Sequence, residues 1–207
     1  MVKDEKQIKE MVRIRSFFYL LFLILYLIPI AIVLIDGFDN LLQFIRRIVG
    51  MAGLSSLFIT ILLSLLIKES KKIFGINYVK IHHFFSMASV ILISIHPVIA
   101  AISFGTITIF SPKLDSWNVF LTNAGCPALY LIYFAVITAL FRKSILKYWK
   151  YFHYLLYPAF LLSAIHGILK GSDSDNRMMF FLVLVMTSVV TIIFFYKRFQ
   201  NIRKGPG

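Results

Sequence analysis

The chain has 207 residues, 59% of them hydrophobic and 16% aromatic, with a formal net charge of +13. Soluble domains contain roughly 45–50% apolar residues, so this composition indicates an integral membrane protein and argues against an ordinary soluble domain. The single cysteine, Cys126, has no cysteine companion for a disulfide or a zinc site, and in a membrane protein the positive charge reports topology before it suggests nucleic acid.

Six apolar stretches follow one another along the chain. They cover residues 17–35, 48–67, 82–104, 126–141, 152–169 and 178–196. Each is close to the roughly 20 residues that a helix needs to cross the hydrocarbon of a bilayer. The sequence therefore predicts an all-α integral membrane protein, a bundle of six transmembrane helices.

The segments outside these stretches complete the predicted organisation. Residues 1–16 are expected to form an interfacial segment, either a short amphipathic helix or a frayed end. No signal peptide is expected, because the first apolar stretch is too long and lacks a clear cleavage site. Residues 17–197 form the predicted membrane domain and residues 198–207 a tail. The longest connection, residues 105–125, is expected to fold over the outer face of the bundle.

Basic residues fall mainly on one predicted face. Residues 1–16, 68–80, 142–150 and 197–207 hold 17 of the 22 lysines and arginines. The other five are balanced by five aspartates: Asp36, Asp39, Asp115, Asp173 and Asp175. By the positive-inside rule the basic face is cytoplasmic, so both termini are predicted to be cytoplasmic in a multi-pass plasma-membrane protein.

Histidines occupy both ends of two apolar stretches. Residues 82–96 read HHFFSMASVILISIH, and residues 153–166 read HYLLYPAFLLSAIH. In the predicted topology both helices run outward, so His82, His83 and His153 lie near their inner ends. His96 and His166 lie farther out by roughly 20 Å along each axis. Two co-directional helices thus offer histidines at two matched depths, as ligation of haem iron by one imidazole on each side requires.

The rotational phase of these histidines differs between the two helices. At about 100° per residue, His82 and His96 are only about 40° apart around a straight helix. His153 and His166 are about 140° apart on the same assumption. Pro158 lies between them and must disturb the hydrogen-bond ladder, so a kink or a tightened turn is expected to realign the two faces.

His83 is about 140° out of phase with His96, which makes His82 the better inner ligand. The choice between His82 and His83 nevertheless stays open at this point. His83 is expected to be an inner-interface residue, or at most a partner for a haem propionate.

A lone histidine in a membrane helix often does no more than hydrogen-bond a neighbouring helix. Ionisable groups inside a bilayer nevertheless tend to be functional, because leaving them without a partner is costly. Four histidines in two pairs at matched depths favour haem binding over this simpler interpretation.

The segments KIHHFFSMASVILISIHP and YWKYFHYLLYPAFLLSAIHG resemble the paired histidine helices of the ferric reductase-like transmembrane family. That family includes ferric-chelate reductases, NADPH oxidases and the haem-binding membrane subunit of the bacterial periplasmic methionine sulfoxide reductase system. The similarity covers roughly residues 42–197. It implies two haem b groups, an inner one held by His82 with His153 and an outer one held by His96 with His166.

The chain departs from this family in two respects. Ser86 stands where the family often has glycine, although a small residue still permits close approach of the macrocycle. The oxidases and ferric reductases continue into a cytoplasmic flavin and nicotinamide module, whereas this sequence ends about ten residues after the sixth stretch. It resembles the membrane-only branch, although the sulfoxide reductase subunit commonly lacks the inner histidine that stands here as His82.

Haem propionates are anionic and call for cations near the membrane surfaces. Arg46 and Arg47 precede the second helix and are candidate partners for the outer haem. Lys80, Lys147 and Lys150 are available on the inside. The competing interpretation is that such residues only anchor and orient membrane helices.

The first functional hypothesis is a b-type cytochrome that serves as the electron-transfer membrane subunit of an oxidoreductase. The donor would be a separate protein or a quinol, and the acceptor an extracytoplasmic reductase or a small acceptor. No side chain is expected to act as acid or nucleophile, because the cofactor carries the chemistry. Two alternatives remain: a haem or metal transporter, and a membrane scaffold subunit whose histidines only join helices.

Overall fold

The computed structural model describes residues 5–170 and 176–203, leaving aside the side chains at positions 6, 8, 146, 170 and 201. Every regular element in these ranges is helical, so the predicted all-α class is confirmed for them. The α-helices are α1 (Glu5–Asp36), α2 (Leu41–Leu65), α3 (Ile67–Phe74), α4 (Tyr78–Phe104), α5 (Trp117–Thr122), α6 (Gly125–Leu140), α7 (Arg142–Ile145), α8 (Trp149–His153), α9 (Leu156–Lys170) and α10 (Arg177–Arg203). Asp173 and Asp175 of the charge balance lie outside the described residues.

Among the described residues, five helical segments are long and apolar enough to cross a membrane, which makes the chain a multi-pass membrane protein. They are Lys9–Asp36, Leu41–Leu65, Ile67–Phe104, Trp149–Leu169 and Arg177–Gln200. The fourth predicted stretch corresponds to α6, whose 16 residues extend about 24 Å. That is shorter than a hydrocarbon core of about 30 Å, and a sixth span therefore stays a prediction.

The first and last long helices extend into the segments that were predicted to flank the membrane domain. The expected interfacial segment is not a separate element, because α1 runs without a break from Glu5 to Asp36. No glycine or proline interrupts it before Pro29, and Glu5 pairs with Lys9 one turn later at 2.7 Å. Helix α10 likewise continues to Arg203, through the first part of the predicted tail.

The end of α1 and the starts of α2 and α10 meet in a polar cluster around Asp36. The Arg47 guanidinium donates to the Gly37 carbonyl at 2.7 Å and to the Asp36 carboxylate at 3.0 Å. Asn176, just before α10, donates to the same carboxylate at 2.6 Å. The end of α1 and the starts of α2 and α10 are thereby joined, and we call this the Asp36 end of the bundle.

Helix α3 organises the opposite end, which we call the Glu69 end. Lys197 near the end of α10 pairs with Glu69 at 2.6 Å. Arg15 near the start of α1 donates to the Ile73 carbonyl. The start of α1 and the end of α10 therefore lie at the same end of the bundle.

A proline inside α1 exposes a carbonyl that α2 then binds. Pro29 has no N–H, so the Leu25 carbonyl one turn earlier loses its helical donor. The buried Ser55 hydroxyl of α2 donates to that carbonyl at 3.2 Å. In hydrocarbon there is no water to replace such a bond. Ser55 therefore satisfies α1 at the position where Pro29 interrupts it.

We expect Ser55→Ala to lower stability, because it leaves the buried Leu25 carbonyl without a donor at a cost of about 1–3 kcal/mol. The melting temperature in detergent should fall by roughly 2–4 °C per kcal/mol at this chain length. In a Pro29→Ala background the same substitution should cost much less, since an alanine at that position supplies the missing N–H. Ser103→Ala, which removes an exposed hydroxyl from α4, is the control. Equal losses in both backgrounds would contradict the role given to Ser55.

Candidate functional site: two histidine pairs

The structure brings the four predicted histidines together as two pairs. His82 of α4 lies close enough to His153 of α8 for the two rings to interact electrostatically. His96 of α4 interacts in the same way with His166 of α9. Both pairs therefore join helix α4 to the segment formed by α8 and α9, one pair toward each end of the bundle.

The two histidines nearer the Asp36 end are each held by a backbone carbonyl. Nδ1 of His96 lies 3.1 Å from the Arg46 carbonyl oxygen, and Nδ1 of His166 lies 3.1 Å from the Thr122 carbonyl oxygen. Because a carbonyl only accepts, Nδ1 is the donor in both bonds. A neutral imidazole in this tautomer carries its lone pair on Nε2, as haem ligation requires.

The pair nearer the Glu69 end, His82 with His153, has a different hydrogen-bonding state, and we call it the inner pair after its predicted position. Nδ1 of His82 and Nδ1 of His153 are buried and have no hydrogen-bonding partner. The Thr60 carbonyl interacts with the His82 ring and the Ala135 carbonyl with the His153 ring, but neither makes a hydrogen bond of normal geometry. A buried polar atom without a partner costs about 1–3 kcal/mol, so these two rings are held less firmly than those of His96 and His166.

The structure separates His82 from its neighbour His83. The His83 side chain is exposed, whereas His82 is half-buried and interacts with His153. Each inner histidine also has an aromatic ring one turn nearer the Glu69 end. Tyr78 stacks on His82 with ring centres 6.3 Å apart, and Trp149 lies 5.8 Å from His153. This arrangement favours His82 over His83 as the inner ligand.

The expected tightened turn is present between His153 and His166. Helix α8 ends at His153 and α9 begins at Leu156. Between them Leu155 N–H bonds the Phe152 carbonyl at 3.0 Å, and Tyr157 N–H bonds the Tyr154 carbonyl at 3.1 Å. These bonds join residues that are three apart in the chain, whereas α-helical bonds join residues four apart. Turns of this kind advance about 120° per residue rather than 100°. A few such steps remove much of the 140° mismatch.

Pro158 explains why the turn tightens at that point. Without an N–H it cannot bond the Tyr154 carbonyl in the α-helical manner. The Tyr157 N–H takes that carbonyl instead. The proline thus turns His153 toward the face of α9 that carries His166.

A cavity of about 490 Å³ lies between the two outer histidines. Sites for small molecules and cofactors are typically about 300–1,000 Å³, mainly apolar, with a few polar groups. The cavity fits this description, since its walls are largely apolar and come from α2, α4, α6, α9, α10 and the loop after α4. Its polar wall residues include Arg46, Arg47, Lys113, Asn123 and Ser163.

Two glycines let the outer imidazoles approach neighbouring helices. A Cβ on Gly50 would lie 2.7 Å from His96 Nδ1, and a Cβ on Gly125 would lie 2.7 Å from His166 Cδ2. Neither separation is possible for a real side chain. Neither glycine was predicted from the sequence as a site residue. Isolated glycines inside apolar helical stretches do signal a close approach, but they do not identify which residue approaches.

Arg46 and Arg47 both line the outer cavity, but they have different contacts. Arg47 is buried and binds Asp36 and the Gly37 carbonyl. The Arg46 guanidinium lies 4.6 Å from the centre of the Phe104 ring, and its carbonyl holds His96. Arg47 therefore has a structural role at the Asp36 end, and Arg46 is the better candidate to meet an anionic group in the cavity.

The long connection after α4 folds over the cavity, as predicted. Its residues Thr106, Thr108, Ile109, Phe110 and Lys113 contribute to the wall. The Phe110 carbonyl accepts hydrogen bonds from Tyr130 Oη at 2.7 Å and Cys126 Sγ at 3.2 Å, both on α6. Lys113 is a third cation at the cavity, beside Arg46 and Arg47, and it was not predicted from the sequence as a site residue.

Within residues 5–170 and 176–203, no three His, Cys, Asp or Glu side chains are grouped so that they could hold a metal ion by themselves. Two imidazoles suit a different case, in which a planar ring supplies the other ligands and the protein supplies the axial ones. The paired histidines and the cavity between His96 and His166 fit haem.

No family model, curated protein or solved structure matches this chain. The likeness of its two histidine helices to the ferric reductase-like family accordingly stays a prediction. The geometry of the histidine pairs carries the assignment of function.

We expect Gly50→Ala and Gly125→Ala to displace His96 and His166, because each new methyl group occupies space that the ring now fills. Gly167→Ala on α9 is the matched control, since nothing lies within 4 Å of its added methyl group. The control should gain up to about 1 kcal/mol from helix propensity. The other two should be less stable than the control by about 1–3 kcal/mol, the cost of a buried polar group that loses its partner. Melting in detergent measures the difference, and three similar values would contradict the close packing.

Proposed function

We propose that this protein is a b-type cytochrome that carries electrons across a membrane. Two haem groups would be held by its histidine pairs, His82 with His153 and His96 with His166. The proposal is supported by one observation: two pairs of imidazoles, at two levels, lie between α4 and the segment formed by α8 and α9. The two levels are separated by roughly 20 Å along the helices. They would divide the insulating layer of about 30 Å into shorter steps.

Haem iron with two imidazole ligands accepts and releases single electrons, and the protein sets how readily it does so through ligands, their partners and burial. The contribution of this chain is to hold the ligands in place. The Arg46 and Thr122 carbonyls fix the outer rings by accepting from Nδ1. When Nδ1–H donates a hydrogen bond, the imidazole becomes more basic at Nε2 and therefore binds iron more strongly.

The charged ends of the bundle support the predicted orientation. Lys68, Lys71 and Lys72 of α3 are exposed at the Glu69 end. The positive-inside rule makes that end cytoplasmic, which puts His82 and His153 near the cytoplasm in a six-span arrangement. A separate donor, either a reductase or a quinol, would deliver electrons there. The acceptor would then meet the protein at the Asp36 end.

Arg46 and Lys113 are the proposed partners for the propionates of the outer haem. Both contribute to the walls of the outer cavity, on α2 and on the loop after α4 respectively. Arg47 is the weaker candidate, because its guanidinium binds Asp36 and the Gly37 carbonyl. Their adjacent positions in the sequence do not distinguish the two arginines, but their contacts do.

The purified protein should contain two low-spin b-type haems per chain, measured by haemochrome absorbance against protein concentration. His82→Ala, His96→Ala, His153→Ala and His166→Ala should each leave one haem, because loss of either ligand empties one site. His83→Ala is the matched control and should keep two, since that side chain is exposed and outside the pairs.

Double substitutions test the pairing itself. His96→Ala with His166→Ala should still leave one haem, because both changes affect the same site. His82→Ala with His96→Ala should leave none. Unchanged stoichiometry in His96→Ala or His166→Ala would overturn the outer assignment. A colourless, metal-loaded protein would favour transport, and a colourless, metal-free one would favour a scaffold.

Electron transfer can be measured in sealed lipid vesicles with an oxidant trapped inside and an impermeant reductant outside. The wild-type protein should oxidise the external reductant at the expense of the trapped oxidant. His82→Ala and His96→Ala should each reduce the rate to that of protein-free vesicles, because the two sites act in series. His83→Ala should behave as wild type. A wild-type rate equal to that of empty vesicles, with both haems present, would exclude transmembrane conduction.

A further inference from the structure

An apolar groove lies between α1 and α10 on the surface of the bundle. Its walls include Ile28 and Ile32 of α1 and Phe181, Leu182 and Val185 of α10. Its volume is about 430 Å³. Both helices belong to the segments that are long and apolar enough to span a membrane. The groove therefore faces hydrocarbon.

One cation stands at the end of this groove. Arg177 opens α10 and is exposed, and every other residue of the groove wall is apolar. Among the described residues, no carboxylate forms an ion pair with Arg177. The nearby Asp36 carboxylate instead accepts from Arg47 and Asn176. The Arg177 guanidinium is thus available to an anion at the membrane surface.

The length of the groove matches one leaflet of a bilayer. From Arg177 to Val185 is about 12 Å along α10. Half of a hydrocarbon core is roughly 15 Å. A molecule with an anionic head at Arg177 and an acyl chain along the groove would therefore reach nearly to the bilayer midplane.

We propose that this groove is a binding site for an anionic phospholipid. The phosphate binds Arg177, and one acyl chain lies against Ile28, Ile32 and the facing side chains of α10. Guanidinium groups bind phosphate through paired, charge-assisted hydrogen bonds, which favours a lipid phosphate over an uncharged head. The site is independent of the histidine pairs and of the proposed electron transfer.

The same groove distinguishes an anionic lipid from other occupants of a membrane. A zwitterionic lipid also carries a phosphate, but its positive head opposes Arg177. An isoprenoid quinone fills apolar space without needing a cation. Removing the charge and blocking the groove therefore affect these three occupants differently.

The experiment uses the full chain in nanodiscs that contain equal amounts of phosphatidylglycerol and phosphatidylcholine. Lipid that stays bound is counted by native mass spectrometry. Arg177→Gln removes the charge and Val185→Trp fills the groove, both at exposed positions. The matched controls on the same helix are Arg198→Gln, at its other end, and Ile192→Trp, an exposed residue beyond the groove.

Wild type should retain phosphatidylglycerol in preference to phosphatidylcholine, and Arg177→Gln should lower that retention about fivefold. Val185→Trp should abolish it, whereas both controls should retain lipid as wild type does. Equal retention of the two lipids by wild type, or equal loss in Arg198→Gln and Arg177→Gln, would overturn the proposal. Recovery of a quinone in place of phospholipid would overturn it as well. None of these outcomes depends on whether haem is bound.

Discussion

Main-chain carbonyls that lose or gain a partner inside hydrocarbon set the geometry of this protein. Water cannot satisfy them there, so each must find a donor within the protein. Pro29 leaves the Leu25 carbonyl to Ser55, which ties α1 to α2. Pro158 leaves the Tyr154 carbonyl to the Tyr157 N–H, which tightens the helix between His153 and His166. The need to satisfy main-chain carbonyls thus both joins helices and sets the direction of the histidine side chains.

Two imidazoles likewise donate to main-chain carbonyls of neighbouring helices. His96 bonds a carbonyl of α2, and His166 bonds a carbonyl of α5. Each ring needs a glycine on the neighbouring helix in order to come so near, Gly50 in one case and Gly125 in the other. Position, tautomer and close approach are therefore set together, and a change in any one of them alters the other two. This coupling is why two isolated glycines belong to the site as much as the histidines do.

Much of this arrangement could be predicted from the sequence, because its signals are periodic or local. The spacing of His82 and His96 predicts a shared helix face, and Pro158 predicts a disturbance in the second histidine helix. The glycines and Lys113 could not be found in this way, because their partners are distant along the chain and depend on how helices pack. The helical residues of α1 before Phe17 were missed for another reason: charged residues mark where a membrane span ends, not where a helix does. The short α6 shows the converse, since an apolar stretch by itself does not establish a full crossing.

Helix α10 separates the two cavities at the Asp36 end. Met179, Phe180 and Val183 face the cavity of the outer histidines, whereas Phe181, Leu182 and Val185 face the groove on α1. The two sets lie on opposite sides of α10, so the two cavities share this helix but no wall residue. A lipid at Arg177 and a group between His96 and His166 would therefore contact different side chains of the same helix. The cluster of Asp36, Arg47 and Asn176 fixes the start of that helix, which makes the Asp36 end the part of the bundle where fold, cofactor site and membrane surface constrain one another most directly.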